Sequence, residues 1–137
     1  MKPLGMTPSN FRKSGHIAKE GDKMKFRGII VEESLVDNRI LNNMAIFKMY
    51  ITSAENKSDR WHLFEVEIDE NDIDDISKNI IEGWYTHFWH GTDVIAVFTN
   101  KTFRFNYLDK ETWKETIGYG KKLNIPDEQL DFSIFGL

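Results

Sequence analysis

The chain has 137 residues, of which 40% are hydrophobic, 29% charged and 13% aromatic, and it contains no cysteine. A domain of this size buries roughly two-thirds of the surface its unfolded chain exposes and needs no staple; the missing thiols exclude disulfides, thiolate zinc sites and a cysteine nucleophile. The net charge of −4 is uneven: residues 1–23 carry Lys2, Arg12, Lys13, Lys19 and Lys23 against Glu20 and Asp22, or +3, while the other 114 residues hold 13 basic and 20 acidic side chains, or −7. An acidic body repels phosphate backbones, which argues against DNA or a membrane surface as a partner of the folded part.

Residues 1–23 lack apolar periodicity and are rich in Gly, Ser, Pro, Lys and Asn, so they read as a flexible basic arm ahead of one domain at 24–137. No apolar stretch there has the length of a secretory signal or a membrane span; the expected setting is cytoplasmic, and the arm is expected to be dispensable for folding. KFRGIIVEE at 25–33 is a β-branched strand in which Gly28 marks a bulge or a close backbone approach. SLVDNRILNN at 34–43 is turn-like, with one helical turn capped by Asp37, and MAIFKMYITS at 44–53 is a second strand. WHLFEVEID at 61–69 alternates: His62, Phe64, Val66 and Ile68 share one face, and Trp61, Leu63, Glu65 and Glu67 the other. Ile73, Ile76 and Ile80 then recur at helical spacing behind a cap at Asp69 or Asn71, with Gly83 as a left-handed stop. WYTHFWH at 84–90, DVIAVFT at 93–99 and KTFRFNY at 101–107 are three strands joined by turns at Gly91–Thr92 and Asn100–Lys101. A second helix spans 110–123, capped by Asp109 or Thr112, with Trp113, Ile117 and Gly120 on its buried stripe, Pro126 as its stop and DFSIFGL as an apolar tail that docks or pairs. This order predicts an α+β fold, a mainly antiparallel sheet of five to six strands with two principal helices packed on one face.

The blocks FRGIIVEESL at 26–35, WHLFEVE at 61–67, GWYTHF at 83–88, VFTNKTF at 97–103 and YGKKLNIPDEQLDF at 119–132 resemble a family of small bacterial and archaeal proteins with no established activity. The resemblance covers nearly all of residues 24–132 and omits the arm. It implies a shared fold and a cytoplasmic setting and transfers no catalytic residue. Many members carry Asp where this chain has His87, which speaks against a metal role for that side chain.

Candidate chemistry starts with the histidines, the side chains that titrate near neutrality. A catalytic metal would need His62, His87 and His90 with Asp93 or Glu65. His87 and His90 are three apart on one strand and point to opposite faces, whereas strand ligands lie two apart, so no metal is expected. The acidic run from Glu65 to Asp75 lacks the glycine of a calcium loop and reads as a solvated helix face. No Walker loop, dinucleotide fingerprint, G-x-S-x-G or H-E-x-x-H occurs, and no cofactor is expected.

The aromatic load remains. Trp84, Thr86, Phe88 and His90 share one side of their strand, and Tyr85, His87 and Trp89 the other. One face of each strand must be core; the candidates for whichever faces stay open are Trp61, His62, Glu65, Trp84, Tyr85 and His87, with Tyr119 reaching over from the second helix. That mix suits a groove for a small or cationic ligand. The competing reading is that these aromatics only cover the sheet.

Three functions are compatible with the residues. The first is a non-enzymatic module binding a small molecule or a protein through its aromatic, acidic face. The second is an enzyme with His62 or His87 as general base and Glu65 or Tyr85 as partner. The third is a homodimer formed through an edge strand or the DFSIFGL tail. Convergence of His62 and His87 favours the enzyme; opposite faces remove it.

Overall fold

The computed structural model describes residues 24–137, so the expected arm at 1–23 lies outside the described residues. The strands are β1 (Lys25–Val31), β2 (Ala45–Ile51), β3 (His62–Asp69), β4 (Tyr85–His90), β5 (Asp93–Phe98) and β6 (Lys101–Asn106), and the helices are α1 (Ile73–Lys78) and α2 (Lys114–Lys122). The strands form one antiparallel sheet in the order β2-β3-β1-β4-β5-β6, an α+β fold as expected. β1 sits at its centre, paired with β3 on one side and β4 on the other.

The helices do not share a face, contrary to the sequence reading. Phe26, Ile30, Val66, Phe88, Ile95 and Val97 pack with Ile73 and Ile76 of α1 on one side of the sheet. Val94, Ala96, Phe98 and Phe105 pack with Trp113, Ile125, Leu130 and Phe132 on the other, beside α2. The reason lies in β5, where every residue from Val94 to Phe98 is buried, so neither side of the sheet can face water there. Each fully buried Phe or Ile contributes on the order of 2–3 kcal/mol, which makes both covers essential.

Local signals explain the element ends. The Asp37 carboxylate accepts from Arg39 N and caps a 3-10 segment over Asn38–Asn43. A 3-10 turn at Glu70–Asp72 leads into α1, with the Asp72 carboxylate accepting from Asp69 N at 3.2 Å. α1 ends at Lys78, well before Gly83, because Ile80 leaves the helix to bridge Leu35; Gly83, at φ +94°, belongs to the turn after it. The β4–β5 turn is Gly91–Thr92 as expected, whereas the β5–β6 turn is Thr99–Asn100, one residue earlier, with Asn100 left-handed at φ +56°. Asp109 is the cap of the second helical segment, accepting from Glu111 N ahead of a 3-10 stretch at Lys110–Trp113.

The C-terminus of α2 sets the path of the tail. Asn124 is left-handed at φ +66°, Asn124 N donates to Lys121 O at 2.9 Å and Ile125 N to Gly120 O at 3.1 Å. This double closure reverses the chain, and Pro126 prevents any further helix. Residues 125–137 then run across the α2 face of the sheet and bury Phe132 completely. The tail docks without forming a strand. Among the described residues no helix is long and apolar enough to cross a membrane.

Candidate functional site

An aromatic cleft opens on the α2 face of the sheet. On the α2 side, Ile29 and Val31 of β1 and Tyr85 and His87 of β4 meet Trp61 and Trp84 and the chain from Ile125 to Asp131, around a cavity of about 350 Å³. The strand period determines which side chains arrive there: Tyr85 and His87 are two apart on β4 and share its α2 side. Trp61 and Trp84, one just before β3 and the other just before β4, meet edge-on with centroids 5.1 Å apart. Trp61 keeps 39% of its surface exposed, so this corner is a rim rather than core.

Two side chains of β4 stitch the Ile125–Asp131 wall in place. The Tyr85 hydroxyl donates to the Gln129 carbonyl, and His87 Nε2 lies 2.7 Å from the Ser133 carbonyl oxygen. A carbonyl oxygen only accepts, so Nε2 carries the hydrogen and Nδ1 is left as an acceptor. Nδ1 has no partner among the described residues, and the residue as a whole is only 8% exposed. Burial holds the His87 imidazole below the usual histidine pKa, against the opposing pull of the Ser133 carbonyl and the Asp131 carboxylate. Burial, with Asp131 nearby, likewise raises the Tyr85 phenol, which stays protonated.

Of the residues singled out in the sequence, Trp61, Trp84, Tyr85 and His87 line the cleft. His62 does not: it lies on the α1 face, where its Nδ1 stands 2.7 Å from Glu33 Oε2 and its backbone N donates to Glu33 Oε1. Burial pushes the Glu33 carboxyl up, but these two hydrogen bonds outweigh it and hold Glu33 below the usual carboxylate range. Glu65 is on the α2 face, paired across the sheet with Ile29, but it does not line the cleft. Its carboxylate pairs with Arg27 at 2.9 Å and accepts from Leu137 N at 2.9 Å. The Leu137 N–H, countered by burial and aided by Arg27, keeps Glu65 low. Tyr119 is half-buried and packs against Phe98 and Phe103, with centroids 4.9 and 5.3 Å away, at the margin of the α2-side core.

The expected gathering of all these side chains does not form, since β4 is buried from Thr86 to Phe88 and His62, Glu65 and Tyr119 are engaged elsewhere. The sequence reading missed Ile29 and Val31 as the floor and Ile125, Glu128, Gln129 and Asp131 as the wall. The floor is implied by the alternation of β1; nothing local signals the wall. Among the described residues no three His, Asp or Glu side chains converge as a metal-holding group.

No family model matches the chain, nor does any curated protein or solved structure.

Proposed function

We propose that the protein is a non-enzymatic, cytoplasmic module that binds a small molecule in the cleft between β1, β4 and the Ile125–Asp131 segment. One observation carries this reading. His87 is buried, is locked through Nε2 to Ser133, and lines an aromatic cavity of about 350 Å³ with no Nδ1 partner among the described residues. Ligand sites are concave, mainly apolar, and carry a few fixed polar groups; this volume is at the small end of their range. The cytoplasmic setting, like membership of the small bacterial and archaeal family, rests on the resemblance of the quoted blocks alone.

The enzyme alternative loses its support. His62 and His87 are on opposite faces, Glu65 is held by Arg27 and Leu137, and the Tyr85 hydroxyl already donates to Gln129. The test of the binding module is a thermal-shift screen of small aromatic fragments on the full chain and on Trp61→Ala. Fragments that raise Tm only when Trp61 is present support it, because a ligand that binds the native state alone raises apparent stability. If no fragment acts in a Trp61-dependent way, the reading falls.

A second reading is favoured by β2. This edge strand is exposed along its whole length, Ile46, Phe47, Met49, Tyr50 and Ile51 included, whereas the opposite edge, β6, is guarded by Lys101 and Arg104. We propose edge-to-edge pairing of two copies through β2, since the DFSIFGL tail is occupied on its own sheet. Sedimentation of the wild type and Met49→Lys over a range of concentrations tests it; a wild type that stays monomeric at the highest concentration removes it.

A further inference from the structure

Resting on the small-molecule reading of the cleft, we propose that its ligand is an arylalkyl ammonium ion, an aromatic ring carrying a protonated amine on a short chain. The polar hydrogens of β4 at the cleft are all engaged within the protein. The Tyr85 hydroxyl gives its single hydrogen to the Gln129 carbonyl, the Thr86 hydroxyl gives its own to the Ile29 carbonyl, and His87 Nε2–H is held by Ser133. These side chains therefore offer lone pairs and no hydrogens. A donor group on the ligand is what these three side chains can receive.

Charge points the same way. No Lys or Arg lines the cleft, while Glu128 and Asp131 stand on its wall. Asp131 is close enough to act electrostatically on both the Tyr85 and the His87 rings. An anionic ligand would meet two carboxylates and no compensating cation; an ammonium ion meets two carboxylates on the wall. Burial keeps the imidazole uncharged near neutral pH, so it does not repel the cation.

The ring half of the ligand is dictated by Trp61 and Trp84. Their edge-on corner over Ile29 and Val31 presents flat apolar surface to an aromatic group and an indole face to the adjoining cation. The volume limits that group to one or two rings.

The experiment uses the full chain with three probes of matched size: 2-phenylethylamine, 2-phenylethanol and 3-phenylpropionate. Binding is read from the indole N–H signals of Trp61 and Trp84 by NMR and from Tm at slightly alkaline pH. The amine is expected to bind about two- to fivefold more tightly than the alcohol, the size of an exposed cation–π or ion-pair preference. The carboxylate is expected to leave both indole signals unmoved. Glu128 and Asp131 are exposed, so the Glu128→Gln, Asp131→Asn double variant should fold normally and weaken the amine more than the alcohol, narrowing the ratio between them; an unchanged ratio overturns the ammonium inference. Equal binding of amine and alcohol, or preferred binding of the carboxylate, overturns the ammonium inference while the small-molecule reading stands. If none of the three moves the indole signals, the inference is also overturned, and the fragment screen decides the broader reading on its own.

Discussion

Gly28 lies directly against the ring of Phe88 across the β1–β4 pair: a Cβ built on Gly28 would stand 2.1 Å from Phe88 Cδ1 and 2.7 Å from the His87 backbone oxygen. β1 runs without a bulge, so of the two roles the sequence allows Gly28, the structure has the close approach. Phe88 is fully buried between β1 and α1 and cannot swing away. Gly28→Ala is therefore expected to destabilise the fold by about 3 kcal/mol, the upper end for overpacking a core. A urea midpoint within error of wild type would show that β4 can retreat.

The glycines of α2 separate into opposite cases. A Cβ at Gly118 would meet nothing within 4 Å, and its backbone needs no positive φ. Gly118→Ala should stabilise the protein by about 1 kcal/mol, the helix propensity difference. Gly120 is where α2 approaches Leu130, whose Cδ2 would be 2.7 Å from a new Cβ, and not the sheet itself. Leu130 is a side-chain tip that can give a little, so Gly120→Ala should gain nothing from propensity and shift the wall segment next to the cleft. Thermal unfolding of the two variants distinguishes these outcomes; equal Tm values would contradict them.

What could be read from the chain was whatever local rules dictate. The alternation of Tyr85 and His87 against Phe88, the Asp37 and Asp109 caps, and the Gly91–Thr92 turn all depend on neighbours within a few residues. The unbroken run Val94–Phe98 also carried the signal for covers on both faces, because a half-exposed strand would alternate. The cleft wall could not be read. Tyr85 to Gln129 and His87 to Ser133 join segments more than forty residues apart, and no local pattern specifies such a pairing. Glu65 and Tyr119 were misplaced for the same reason: their partners, Leu137 and Phe98, are set by tertiary packing.

The pH dependence of stability should begin at an unusually high pH for an acidic protein. The His87 pKa is lowered from 6.5 by burial, so the unfolded chain takes up a proton there before the folded one does. His87 thus contributes stability above about pH 6.5, and this is lost as pH falls through its lowered value. Glu33 and Glu65 are lowered from 4.5, and Asp37 to about 2, so their contributions disappear only in a second, more acidic window. Tm is expected to fall in two stages on acidification. His87→Gln should remove the upper stage and leave the lower; a variant that keeps the upper stage would assign it to another group.

Glu65 offers the sharpest separation between tail and cleft. Its carboxylate accepts from Leu137 N, pairs with Arg27, and lies against Gly136, which is held at φ +83°; Lys48 Nζ closes the arrangement on the Leu137 carbonyl oxygen at 2.7 Å. Removing a partly buried charged acceptor of this kind costs about 1.5 kcal/mol. Glu65→Ala should lose that much stability and speed amide exchange over residues 133–137, while 2-phenylethylamine still moves the Trp61 and Trp84 indole signals as in wild type. The two effects are independent only because Ser133 is anchored separately by His87. Loss of ligand binding together with the tail would mean that the Glu65 clamp holds the cleft wall as well, and that residues 125–137 respond as one unit.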